Sequence, residues 1–380
     1  MEIFTVIAIS MAVHSCYIGS KVLVSLYALD LGASQFTVGI LAACYATFPL
    51  MLGVYTGRMA DSRGLRMPLL LGATLTCVAM VTGFVWRDLA GLFAVAVLMG
   101  AGFVFFNVSI QTLAGAIGKP KERARNFAWL TIGYSSSNLI GPVLSGFSID
   151  LIGHAQTFLV LAIAPLFPIA LLLYKPEIAH IVRPAPVAGS AKHRTLDLLA
   201  DATLRKLIII SGLSVASAEL FAFYVPVFAH EIGLSASMTG IVLGSYAFAI
   251  VCMRFMLGRI MARLAPEQIM VWFLLVAAAG FAVFPFFESA YALMATAFVI
   301  GLGVGATQPI LMSISYERSP PGRTGEMTGL RLTVNNFARI TMPIICGALG
   351  ATFGSSPVFW MNALNLLGTS YLSRGRRKTT

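Results

Sequence analysis

Charge is what this sequence has least of. Its 26 Lys+Arg and 15 Asp+Glu make up 11% of 380 residues, where a soluble domain carries about 25%. With 58% hydrophobic residues, a chain this long cannot cover a water-facing surface with polar groups. A soluble enzyme, a disordered chain and a nucleic-acid-binding domain are excluded together. The net charge of +11 does not bring nucleic acid back, because membrane proteins keep a basic excess in cytoplasmic loops that face anionic lipid. The class is a polytopic membrane protein, with the lipid bilayer as its standing partner.

Other absences narrow the reading further. The five cysteines, Cys16, Cys44, Cys77, Cys252 and Cys346, each sit in an apolar stretch, and none forms a CxxC. A disulfide framework and a zinc site are therefore not expected, and neither is a cofactor. Met1-Glu2 puts an acid where a cleavable signal peptide needs bases. No HExxH, no nucleophile elbow and no second acid beside Glu219 is present, so no enzyme is expected.

What is there is apolar length. A membrane-crossing helix needs about 20 mostly apolar residues, and twelve such stretches can be drawn, roughly at 3–29, 36–57, 67–86, 89–116, 127–149, 155–174, 207–230, 237–257, 267–287, 290–315, 327–350 and 355–373. One connection is long. It contains Pro176, Pro184, Pro186 and Gly189 and reads as a linker. The organisation expected is an N-terminal bundle over 1–175, a cytoplasmic linker over 176–206 and a C-terminal bundle with a short basic tail over 207–380. Thr195 to Arg205, with acids early and bases late, is expected as a short helix on the membrane surface. With the N-terminus inside, 21 of the 26 basic residues fall in cytoplasmic segments and only Arg87 falls outside. The positive-inside rule thus predicts two cytoplasmic termini.

Sliding the chain by 201 residues sets landmarks in register: Gly39-Ile40 on Gly240-Ile241, Tyr45 on Tyr246, Gly57-Arg58 on Gly258-Arg259, Gly100 and Gly102 on Gly301 and Gly303, Pro142 on Pro343. The chain reads as two related six-helix halves in parallel repeat, an arrangement that places a ligand near mid-membrane between them.

With the repeat and the loop Gly57-Arg-Met-Ala-Asp61-Ser-Arg63-Gly64-Leu-Arg66 in view, the whole chain resembles the major facilitator superfamily of secondary transporters. The resemblance implies an all-α membrane protein of twelve transmembrane helices in two pseudo-symmetric six-helix bundles. It also implies a gate for the loop: Gly57 for close approach of helices, Gly64 for a tight turn, Asp61 against the start of the eleventh helix near Gly325–Thr328, with Arg63 and Arg66 as the basic part. In the repeat, Ala262 stands where the acid would be. In the fifth stretch, Gly133, Gly141-Pro142 and Gly146 resemble the family's antiporter motif, with Asn138 and Leu139 interrupting it. The arginine that proton antiporters of the family carry in the fourth helix is absent, for Ala96 and Ala297 occupy its two positions.

Charge at membrane depth costs at least about 2.5–3.5 kcal/mol on insertion scales, which makes each such group a functional candidate. Glu219, near the middle of the seventh stretch, and His14, in the first, are the candidate proton carriers. Lys21, Asn107, Gln111, Asn138, Arg254, Gln308, Asn335 and Arg339 are candidates for a substrate cavity, with Arg331 at its edge. Arg331, Asn335 and Arg339 follow at i, i+4 and i+8 along one helix face, and Phe106 and Phe223 are expected to frame the cavity. The resulting expectation is a monomeric secondary transporter in the plasma membrane, proton-coupled, exporting a small anionic or neutral-polar organic solute. An uncoupled facilitator and an importer of anionic solutes are the alternatives within the class. A membrane sensor, which would want an appended soluble domain, is the alternative outside it.

Overall fold

In hydrocarbon every backbone N–H and C=O has to be satisfied within its own segment, so apolar runs of this length fold as helices. A computed structural model describes residues 3–117, 122–174, 195–319 and 324–374. Its helices are α1 (Ile3–Asp30), α2 (Gln35–Arg63), α3 (Arg66–Val85), α4 (Leu89–Ala116), α5 (Arg123–Tyr174), α6 (Ala202–Glu231), α7 (Ala236–Met261), α8 (Pro266–Val283), α9 (Ala290–Gly305), α10 (Thr307–Arg318), α11 (Thr324–Phe353) and α12 (Ser355–Ser373). Among the described residues, nine helical segments are long and apolar enough to cross a membrane.

The predicted stretches all fall on helical segments, though not one to one. Those at 127–149 and 155–174 share α5, which is divided at Gly153, where φ 82° and ψ 169° leave the helix. The stretch at 290–315 is shared by α9 and α10, which part at Ala306. Two boundaries differ from expectation. The surface helix predicted over 195–205 is a 3-10 turn at Thr195–Leu199 followed by the first turn of α6. Asp201 moves that start forward, because its Oδ1 accepts from the N–H groups of Thr203 at 2.7 Å and Leu204 at 3.2 Å and caps the helix there. The predicted linker up to residue 194 lies outside the described residues, as does residue 175 before it.

The 201-residue repeat reappears as geometry. After α1, the N–H groups of Leu31, Gly32 and Ala33 return to the carbonyls of Tyr27, Leu29 and Ala28; after α6, Ile232, Gly233 and Leu234 return to Phe228, His230 and Ala229. Gly32 and Gly233 take φ of 80° and 72°, and Gly153 and Gly354 take 82° and 80°, values that a residue with a Cβ seldom adopts. Inside the helices the contacts repeat too. A Cβ on Gly102 would lie 2.9 Å from the carbonyl of Gly72, and one on Gly303 would lie 2.5 Å from that of Phe273, the position 201 residues on.

The chain divides into two compact units, Met1–Val187 with Val225–Gly244 and Ala188–Tyr224 with Ser245–Thr380. The first is built on α1 against α5 and on α4 against α2 and α3, around Val6, Ile9, Val13, Leu69, Phe106 and Leu130. The second packs α8 against α12 and α9, with Leu207, Ile210, Met253, Ile269, Ile310 and Met327 at one end of its core.

Candidate functional site

In the second unit the polar stripe of α11 is answered, residue by residue, by other helices. Arg331 is 5% exposed and donates from Nη1 to Gln308 Oε1 on α10 at 3.1 Å. One turn on, Asn335 Oδ1 accepts from Ser211 Oγ on α6 at 3.0 Å. A further turn on, Arg339 Nε lies 3.2 Å from Glu219 Oε1, also on α6. Glu219 and Arg339, which lie at similar depth on two helices, form an ion pair. It is lopsided: the arginine side chain is 46% exposed and the glutamate 19%. Glu219 is the deeper partner. The arginine stabilises the ionised carboxylate in that position. Arg254, on α7, is half-buried.

In the first unit the candidates gather around rings. His14 on α1 lies 5.4 Å from the Phe103 ring and 4.7 Å from that of Tyr134, centroid to centroid. Tyr17 stacks on Phe103 at 3.8 Å, and Lys21 Nζ stands 5.2 Å above the Tyr17 ring. Asn107 on α4 holds Tyr134 in place by accepting from its hydroxyl at 2.7 Å. Gln111, one turn further, is exposed, and Asn138 is half-buried on α5. The two units thus use one position in the same way, for Asn107 and its repeat image Gln308 both accept from a long side chain on the next membrane segment.

The packing motif splits its work. Gly141 lets α5 approach the Ser15 carbonyl of α1 to 2.7 Å from where its Cβ would stand, and Gly133 faces Ile7 and Met11 of the same helix. Gly146 faces Ala236 at the start of α7, and the carbonyl of Pro142 faces Gly240, within the first unit. Beside them Asp150 accepts from the N–H groups of Ala236 at 3.1 Å and Ser237 at 2.8 Å, capping α7 from another helix. Burial alone would raise the Asp150 carboxyl, but the hydroxyl and N–H of Ser237 with the N–H of Ala236 hold it below the usual carboxylate range. Two imidazoles flank a carboxylate nearby: His154 Nδ1 lies 3.4 Å and His230 Nδ1 3.6 Å from the oxygens of Asp30. Burial pushes His154 below the ordinary imidazole value, against the pull of Asp30. Gln35 donates to Glu231 at the same end.

Three expectations need correction or fall out of view. Among the described residues a Cβ on Gly57 would meet nothing within 4 Å, and the same holds for its repeat image Gly258. Gly64 does make the tight turn, with φ 77°, and Arg66 Nε donates to the Leu172 carbonyl at 3.3 Å. The side chains of Asp61 and Arg63, and those of Gly325–Thr328 apart from Met327, lie outside the described residues. Phe106 and Phe223 frame no cavity, being 2% and 6% exposed and spent on packing. Phe103 is the phenylalanine that meets the polar residues, and Tyr17, Tyr134 and Ser211 are partners that the sequence reading missed. The signal for the tyrosines was spacing, since Tyr17 follows His14 by three residues on one helix face.

A sequence profile of the Major Facilitator Superfamily matches residues 3–343. The chain belongs to that superfamily. Its relatives include a multidrug resistance protein, MdtG of Serratia proteamaculans, 24% identical over 344 residues that cover 87% of this chain and 81% of the relative. The quinolone resistance protein NorA of Staphylococcus aureus is 21% identical over 350 residues, covering 90% and 88%. In fold the chain is similar to the nucleoside transporter NupG, with a TM-score of 0.79 at 15% identity over 98% of this chain and 99% of that one. It is likewise similar to a peptide transporter, POT, with a TM-score of 0.80 at 14% identity over 98% and 93%. As a superfamily member the protein is a multi-pass membrane transporter of small molecules and not an enzyme.

Proposed function

We propose that the protein is a proton-coupled secondary transporter that exports a small organic solute by alternating access across the plasma membrane, as a monomer of twelve spans with both termini in the cytoplasm. The observation that carries the coupling is the Glu219–Arg339 pair. Beside the arginine, Glu219 is stabilised as the carboxylate; apart from it, burial favours the protonated acid. The pair meets in one state of the cavity and parts in the other, so Glu219 takes up a proton on the side where they part and the return of the arginine expels it on the other. His14, ringed by Tyr17, Phe103 and Tyr134, is the second candidate carrier, because its free pKa lies near neutrality.

Direction and cargo rest on separate support. The resistance names of the two relatives favour export. Lys21, Arg254, Arg331 and Arg339 against the single acid Glu219 at membrane depth favour an anionic or neutral-polar solute over a lipophilic cation. For the gate, a Cβ on Gly57 or Gly258 would meet none of the described residues within 4 Å, which leaves room for α11 there in another state of the cycle, where Asp61 meets the start of α11. The experiment is reconstitution into proteoliposomes with an imposed pH gradient and a panel of fluorescent organic anions and quaternary ammonium dyes. Accumulation of anions that collapses with the gradient supports the reading. Competitive binding of the ammonium dyes with none of the carboxylates would sink the cargo assignment, and flux indifferent to the gradient would leave an uncoupled facilitator.

A further inference from the structure

Residues 225–244, the end of α6 and the start of α7, belong by sequence to the C-terminal bundle but pack within the first unit. Their contact with α5 is close: Gly146 faces the Ala236 carbonyl, and a Cβ on Gly240 would stand 2.5 Å from that of Pro142. This joint is edged with ionisable groups. Asp30, at the end of α1, lies 3.4 Å from His154 Nδ1 of α5 and 3.6 Å from His230 Nδ1 of α6. The His154 ring is also stacked on Tyr27 of α1, with centroids 5.1 Å apart. One carboxylate thus faces two imidazoles, one from each half of the sequence. The charges around them are engaged in other ways. Asp150 of α5 gives its two oxygens to the N–H groups of Ala236 and Ser237, and Glu231 of α6 accepts from Gln35 of α2. Tyr27 donates to the Arg87 carbonyl at 3.4 Å, and Asp88 beside it caps α4 through Gly91. From Ala236 to Ser245, α7 has no ionisable side chain.

The count decides the sign. Asp30 compensates one imidazolium; a second proton puts like charges on both sides of it, and like charges disfavour ionisation. His154 is half-buried, and burial outweighs the pull of Asp30 on it, with Asp150 adding the smallest attraction. An opened joint would return both rings to water and part the two charges, so protons favour the open form. We propose that this joint is a proton-operated latch: protonation of both His154 and His230 around Asp30 releases the end of α6 and the start of α7 from α1 and α5, so that acid on that side of the membrane opens the transporter there. This rests on the alternating-access reading, and with both termini in the cytoplasm the side sensed is the outside. The protons of the latch are triggers, separate from the one assigned to Glu219.

The test is hydrogen–deuterium exchange of the full-length protein in nanodiscs, with protons as the only probe. The N–H groups of Ala236 and Ser237 are bonded to Asp150 in the closed joint and report its opening. Protection over 236–244, corrected for the intrinsic pH dependence of exchange, is expected to fall about threefold or more between about pH 7.5 and about pH 5.5. The core of α8 over 274–281 is expected to keep its protection across the same range. His154→Gln and His230→Gln are each expected to match wild type at the higher pH and to hold that protection at the lower one. Glu219→Gln is expected to open with acid as wild type does. In the unmutated protein, isotope-labelled histidine gives two ring signals whose titration follows the midpoint of the exchange, a readout that needs no variant to fold. Protection that is constant with pH in wild type, an equal fall in both imidazole variants, or ring signals indifferent to the transition overturns the latch while Glu219 keeps its role. Loss of the response in Glu219→Gln assigns the opening to the coupling proton and overturns the latch as well.

Discussion

At the scale of single residues, the chemistry of this protein rests on one acid among several bases. Glu219 is 19% exposed and Arg339, its partner, 46%, so the two substitutions are not equivalent. Arg339→Gln removes the cation beside a deep carboxylate, which is expected to answer by taking a proton. We expect that variant to fold, with a loss below the about 3–5 kcal/mol of an uncompensated buried charge, and to lose pH-driven transport. A thermal melt and a flux assay on the same preparation check both. Asn107 poses a smaller question. It accepts from Tyr134 at 2.7 Å, and Asn107→Leu would take that acceptor away, leaving Ser10 and Gln111 beside the hydroxyl. A loss of about 0.5–1.5 kcal/mol in stability is expected, the usual net worth of one hydrogen bond, together with weaker substrate binding if the ring beside His14 shifts.

Elements carry the second set of expectations. Gly141→Leu forces α5 off α1, because its Cβ would already stand 2.7 Å from the Ser15 carbonyl; a loss of about 1–3 kcal/mol or outright misfolding follows from overpacking. The first side-chain carbon of Gly57→Leu would meet none of the described residues within 4 Å, and the variant should melt within about 0.5 kcal/mol of wild type. It should nevertheless slow transport, since the opposite state needs that space. Unimpaired flux in Gly57→Leu would remove Gly57 from the gate. The joint of α1, α5 and α6 adds a pH dependence. Burial keeps His154 below its ordinary value of 6.5, so the packed arrangement favours neutral imidazole. Its contribution is complete above about pH 6.5 and is lost as pH falls below that value. Melting temperature should therefore drop on mild acidification, and His154→Gln should flatten that drop.

At the scale of the whole molecule, most of the architecture was legible in the sequence because a bilayer leaves the chain few alternatives. Apolar length gave the helices, and a constant offset of 201 residues marked contacts that recur in three dimensions, such as Gly102 on Gly72 and Gly303 on Phe273. The ion pair was also within reach, since an acid and a base at similar depth on two helices lower the cost of burial when they meet. What stayed hidden depends on which face of an apolar helix turns inward. Phe106 and Phe103 differ by less than a turn, yet one is core and the other borders His14, and no periodicity separates faces when all of them are apolar. Tyr17, Tyr134 and the Asp30–His154–His230 group were missed for the same reason, as their partners lie on helices distant in sequence. The central claim, that Glu219 couples transport to protons, is tested most directly by proteoliposomes that contain a pH-sensitive dye and either the wild-type protein or Glu219→Gln. The account predicts that the variant exchanges solute across the membrane at equilibrium but neither moves protons nor accumulates solute against a gradient; full pH-driven accumulation by Glu219→Gln would contradict it.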